Sequence, residues 1–170
     1  MNFNDNGVMD PGIHEFDMQQ FHDIFVHQFT TSERRQEIFN SFIDFLKNLM
    51  NGYNIQEVWI DGSFVTEKVN PNDVDLILFF EVEDYVKIRP LWEGFRHQDN
   101  IDPYCEIILN DHTKSKVSSK ELSIITNQRN YWRGQFGFDR VDTPKGIVKL
   151  TNCKIKEYLT GGEPHVIGSN

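Results

Sequence analysis

Val58-Trp59-Ile60-Asp61-Gly62-Ser63 leads, after nine intervening residues, into Asp73-Val74-Asp75-Leu76-Ile77-Leu78-Phe79-Phe80. The first piece belongs to a segment, Ile55 to Asp61, rich in Val, Ile and Trp and bounded by Asn51-Gly52 and Gly62-Ser63, which predicts a short strand. The second is a continuous apolar run, as expected of a strand covered on both faces and central in its sheet. Working outward, Tyr104 to Leu109 and Gly146 to Leu150 read as further strands. Ile38, Phe42, Phe45, Leu46 and Leu49 recur at helical spacing and predict an amphipathic helix from Glu33 to Met50. Asp17 is placed to cap a short helix carrying Phe21, Ile24 and Phe25, and Ser118 or Ser119 one that runs to about Gly134. Pro90 breaks any helix within Tyr85 to Phe95. The expected fold class is α/β (α+β): a small mixed sheet with helices packed on it.

The 170 residues fit one domain, 1–170, with an arm or loop over 1–14 and a loose tail over 161–170. Cys105 and Cys153 are the only cysteines, so neither a disulfide framework nor a zinc cluster is indicated. The start is polar and acidic, and no apolar stretch is long enough to span a bilayer, so the expectation is a soluble cytoplasmic protein. A formal net charge of -9 argues against general affinity for nucleic acid. Part of that charge has a use if carboxylates are gathered to hold a cation.

Side chains at i and i+2 of a strand leave the same face, so Asp73 and Asp75 project together. At roughly 5 Å their repulsion is of order 1 kcal/mol in water and about 3 kcal/mol at an effective dielectric near 20, which a bound cation reverses. Mg2+ takes one or two carboxylates and completes its shell with water and phosphate oxygens. Gly62 lets backbone approach a phosphate closely, and Ser63 with the amides after it can donate to phosphate oxygens. Taken singly, Asp-x-Asp also fits a solvent-facing strand end and Gly-Ser an ordinary turn; the spacing of the two makes one pattern. Arg129, Arg133, Arg140 and Lys145, with Tyr131 and Trp132 among them, either hold phosphates and stack a base or form a solvated helix face over core aromatics. Of these, Lys145, just before a strand, is the more pointed phosphate contact. The six His, His22, His27, His97 and His112 among them, lack metal-ligand spacing.

The stretch Val58 to Phe80 resembles the DNA polymerase beta-type nucleotidyltransferase superfamily, whose signature is Gly-Ser, a short connection and Asp-hydrophobic-Asp. The arm Gly7-Val8-Met9-Asp10-Pro11-Gly12-Ile13-His14, with Phe138-Asp139-Arg140 and Thr143 to Val148, is similar to a bacterial domain family of unassigned function held to be nucleotidyltransferase-like. Thr66-Glu67-Lys68 stands where many small bacterial members carry Arg-Gly. The resemblance implies a minimal two-metal, Mg2+- or Mn2+-dependent enzyme that moves a nucleoside monophosphate from a nucleoside triphosphate to an RNA end, a protein hydroxyl or a small molecule. A cognate partner protein is implied, as for enzymes found beside toxin-antitoxin and phage-defence genes. It also implies catalytic metal ligands Asp73 and Asp75, and a third carboxylate for which Glu106 is the first candidate and Asp102 the second. The nucleotide contacts would be Gly62, Ser63, Arg140 and Lys145. The competing expectation is a catalytically idle nucleotide-binding or protein-interaction module.

Overall fold

The computed structural model describes residues 3–161 apart from His97. Its strands are β1 (Gly12–Glu15), β2 (Ile55–Asp61), β3 (Val74–Phe80), β4 (Ile101–Ile107) and β5 (Gly146–Thr151). The helices are α1 (Met18–His22), α2 (Arg35–Met50), α3 (Val82–Ile88), α4 (Trp92–Arg96), α5 (Asp111–Lys116), α6 (Ser119–Phe136) and α7 (Asn152–Leu159). One five-stranded sheet has the order β1-β5-β2-β3-β4. β2 runs antiparallel to both β3 and β5, while β3 pairs parallel with β4 and β1 parallel with β5. The mixed α/β architecture is the one the sequence predicts.

Each face of the sheet has its own core. On one, Phe42, Phe45, Leu46 and Leu49 of α2 close over Val58, Ile60, Leu76, Leu78, Phe80, Val148 and Leu150. On the other, Trp132 and Phe136 of α6 cover Trp59, Ile77, Phe79 and Ile147. β3 therefore buries both its faces, which is why its sequence is apolar without alternation. The α6 end is set by a capping box, Ser118 accepting from the Glu121 amide while the Glu121 side chain accepts from the Ser118 amide. Asp17 and Gln20 form the same device at α1, which continues as a π-helical turn through Asp23–His27. Pro90 does divide its segment, with a 3-10 turn between α3 and α4.

Two local expectations differ from the structure, and two short helices were not expected. The strand predicted over Tyr104 to Leu109 starts earlier, at Ile101, with Pro103 inside it. β4 is an edge strand, where a proline with no N–H removes no ladder bond; the Pro103 carbonyl instead accepts from Trp92 Nε1. The arm does not stay a loop throughout: Gly12–Glu15 pairs in register with Gly146–Lys149. This close approach requires Gly146, since a Cβ there would lie 2.6 Å from the Asp10 carbonyl oxygen and 2.8 Å from Met9 Cβ. The short helices α5 and α7 carry too little periodicity to be read from sequence. The tail predicted over 161–170 lies, beyond Gly161, outside the described residues.

Candidate functional site

On the α6 face the strand registers stack side chains in rows. Asp61 of β2 lies opposite Asp75 of β3, and Asp75 beside Asp102 of β4. Two residues further in, Trp59, Ile77 and Tyr104 are level, and two further again, Glu57, Phe79 and Glu106. The first row opens into a cleft of about 1260 Å³. One wall of the cleft is the arm (Asp5 to Val8) with the loop Gly62 to Lys68; the other is Tyr131, Trp132 and Phe138 with Arg140 and Lys145.

Gly62 joins the two halves of the sequence pattern. Its φ of 76° is one that other residues rarely adopt, and a Cβ would fall 1.7 Å from Asp75 Oδ2. The carboxylate of Asp75 thus occupies the space the missing side chain leaves. Ser63 follows in a 3-10 turn through Val65, its carbonyl accepting from Thr66 Oγ1 at 2.9 Å.

The carboxylates of this row are poorly compensated. Burial pushes the Asp75 carboxyl up to about 6, and the neighbouring Asp73, Asp61 and Asp102 add to the shift. Asp61 is buried and also raised to about 6, because desolvation outweighs the Lys145 ammonium that donates to its Oδ2 at 2.8 Å. Its other oxygen, Oδ1, is buried without a partner. Asp102 Oδ2 accepts from the Tyr104 hydroxyl at 2.9 Å. A buried oxygen with no donor, beside a second desolvated carboxylate, is the donor chemistry a hard cation satisfies. The geometry is open: among the described residues no three Asp, Glu, His or Cys groups converge closely enough to enclose an ion by themselves. Phosphate oxygens and water would have to complete such a shell.

The sequence-predicted residues divide accordingly. Gly62, Ser63, Asp73, Asp75, Arg140 and Lys145 all line the cleft, and so does Asp102. Glu106 is not brought to it. It shares the face but stands four residues along β4 from Asp102, about 13 Å at the usual strand rise. There its Oε1 accepts from Trp132 Nε1 at 2.8 Å and from Gln128 Nε2 at 3.0 Å, and burial raises its carboxyl. Lys145 reaches the site with its ammonium already engaged by Asp61. Arg129 belongs to the interior: it pairs with Glu57 at 2.9 Å and lies over the rings of Trp59 and Phe79. Arg133 and Arg140 are exposed, and Tyr131 remains 53% exposed at the cleft while Trp132 is buried. Two residues went unremarked as site members, Asp61 and Tyr104. The signal for Asp61 was its position two residues beyond Trp59 at a strand end, on the face that carries Asp75 once the strands pair.

The family described as a family of unknown function, DUF6932, matches residues 1–151. The chain belongs to the DUF6932 family. No curated protein matches it. Among solved structures, the crystal structure of a putative nucleotidyltransferase from Sulfolobus solfataricus is similar at 16% identity and a TM-score of 0.33. That likeness covers 49% of this chain and 77% of the other. Among the described residues no helix is long and apolar enough to cross a membrane.

Proposed function

We propose that the chain is a metal-dependent nucleotidyltransferase whose site is the row Asp61, Asp75 and Asp102, with Asp73 beside it and Gly62-Ser63 at its end. The observation that carries this reading is the row itself: carboxylates in register on adjacent strands, one with a buried oxygen that has no well-formed hydrogen bond. A fold that gathers mutually repelling carboxylates around one ammonium, that of Lys145, leaves the rest of their compensation to a ligand. Asp73, Asp75 and Asp102, with Asp102 rather than Glu106 as the third carboxylate, would each lend oxygens to Mg2+ or Mn2+, and phosphate oxygens and water would complete the shells because no three of these groups close on one ion. When bound, the divalent ions supply the positive charge that draws the attacking and leaving oxygens of a phosphoryl transfer into line.

The chain's own groups have separate tasks. The Ser63 hydroxyl donates to a phosphate oxygen of the triphosphate, and Gly62 leaves room for the Asp75 carboxylate beside it. Asp102, its orientation fixed by the Tyr104 hydroxyl, accepts the proton of the acceptor hydroxyl as that oxygen attacks the α-phosphate and pyrophosphate leaves. Lys145 holds Asp61 beside Asp75. Tyr131, exposed on the aromatic wall, offers a ring on which a base stacks.

The test is incubation with each α-labelled nucleoside triphosphate, Mg2+ or Mn2+, and pools of RNA or lysate protein. Label in RNA or protein that disappears in Asp75→Asn supports the reading. Label in neither pool, together with triphosphate binding that ignores Asp75→Asn, sinks it in favour of an idle module.

A further inference from the structure

Arg35 opens α2 and is 1% exposed, a buried cation with no carboxylate partner among the described residues. All of its hydrogen-bonding capacity goes to main-chain carbonyls. Nη1 donates to Phe25 O and Phe64 O, each at 2.6 Å. Nη2 donates to Thr66 O at 2.7 Å and Lys68 O at 2.6 Å. Nε donates to Val69 O at 3.3 Å. A guanidinium has five N–H groups in a rigid fork, and here each has an acceptor. Its plane lies over the Phe29 ring, 3.6 Å from the centroid, which completes its packing without adding a charge.

Four of those five carbonyls belong to the segment that follows Gly62-Ser63. Beyond its 3-10 turn that segment has no regular structure to hold it. In a peptide group the N–H points opposite to the C=O, so turning the Thr66 carbonyl to Arg35 turns the Glu67 N–H outward. That N–H donates to the Gly7 carbonyl at 2.8 Å, and Val8 bridges Thr66. Gly7 and Glu67 both line the cleft. One side chain in the core thereby fixes two stretches of backbone on the cleft wall.

We infer that Arg35 is the positioning residue of the phosphate-binding wall: it holds the loop after Gly62-Ser63, and through Glu67 the N-terminal arm, in the shape that receives a triphosphate. This inference rests on the function proposed above. Asp75 and Asp102, by contrast, are carried by β3 and β4, and no hydrogen bond of Arg35 goes to either strand. A lysine keeps the charge but has three donors and no fixed fork, so it replaces the guanidinium only in part.

The test compares the full-length wild type with Arg35→Lys and Arg35→Met, titrating Mg2+-tripolyphosphate by calorimetry and Mn2+ alone by electron paramagnetic resonance. Tripolyphosphate affinity should fall about tenfold or more in Arg35→Met and less in Arg35→Lys, as expected when a pre-organised binding surface is loosened. Mn2+ affinity should stay within about twofold, because the sheet still holds Asp75 and Asp102. Equal loss of both affinities makes Arg35 a general strut and overturns the inference, as does unchanged tripolyphosphate affinity in a folded variant. A wild type that does not bind tripolyphosphate sinks the proposed function instead. Should neither variant fold, hydrogen exchange of the wild type decides: the Glu67 amide must be protected like the amides of β2 and β3. Exchange at the rate of an open loop overturns the inference.

Discussion

The outer and inner rows of the α6 face both place carboxylates on β2 and β4, yet these are treated differently. In the inner row, Glu57 has the Arg129 guanidinium and Glu106 has Trp132 and Gln128, all supplied by α6. In the outer row, Asp75 has no ion-pair partner among the described residues and Asp61 keeps a buried oxygen unpaired. α6 passes over the inner row, and the outer row faces the cleft. The difference teaches that burial and acidity alone do not mark a functional carboxylate here. What sets the outer row apart is Asp75, a desolvated carboxylate with no ion-pair partner among the described residues, beside Asp61, whose one ion-pair partner there, Lys145, leaves its other oxygen bare.

The largest effect should follow from neutralising the outer row. Asp75→Asn or Asp102→Asn is expected to lower metal-dependent transfer about a thousandfold or more, the several kcal/mol that metal-assisted charge stabilisation supplies. Steady-state kinetics with Mn2+ titrations checks it, and full activity in either variant erases the contrast between the rows. Next in size is Lys145→Met, which strips Asp61 of its ammonium and leaves a buried carboxylate alone. Breaking such a pair costs about 3–5 kcal/mol, measurable by urea denaturation. The Asp61→Asn/Lys145→Met double variant should recover much of it; a double variant no better than the single would mean the ion pair is not what holds β2 to β5 there.

The same comparison shows what was legible before folding. The Gly-Ser turn, the Asp73 and Asp75 pair at the start of β3, the central strands and the long helices α2 and α6 were readable, because periodicity and turn chemistry are local signals. Which carboxylate of β4 stands beside Asp75 was not. Asp102 and Glu106 have the same parity on β4, so both point to the correct face, and only the parallel register of β3 with β4 decides which is level with Asp75. Register is a long-range property. Pro103 obscured it further by making Ile101–Ile107 look like a strand that begins at Tyr104. Arg35 was illegible for a related reason, since its partners are carbonyl groups whose positions no side-chain pattern announces.

A smaller, pH-dependent effect separates the rows without any substrate. The carboxyls of Asp61 and Asp75 both rise from 3.8 to about 6 on folding. A carboxyl raised in the folded state binds its proton more tightly there, so its contribution to stability is fully present below about pH 4 and is lost as the pH climbs through about 6. At pH 7 without metal the protein therefore carries the whole penalty, on the order of 1–3 kcal/mol for Asp75 after allowance for its partial exposure. Denaturation should show that Mg2+ stabilises the protein more at pH 7.5 than at pH 5, and that Asp75→Asn flattens the difference. A Mg2+ effect independent of pH would argue that the cation binds elsewhere.

The smallest expected effect is at Glu106, and it is the sharpest test of the comparison. In Glu106→Gln the amide oxygen can still accept from Trp132 Nε1 and Gln128 Nε2, while the charge that burial disfavours is gone. Loss of the charge-assisted part of those bonds opposes relief from desolvation, so stability should change by no more than about 1 kcal/mol. Mn2+ affinity and transfer should stay within about twofold, since a residue about 13 Å along the strand is beyond ligand reach. Trp132 also packs on Tyr104, with ring centroids 4.7 Å apart, and Tyr104 orients Asp102, so Glu106 touches the site only through two aromatic rings. A folded Glu106→Gln that lost metal binding would show that the inner row serves the outer one, and the division between paired and unpaired carboxylates would no longer locate the site.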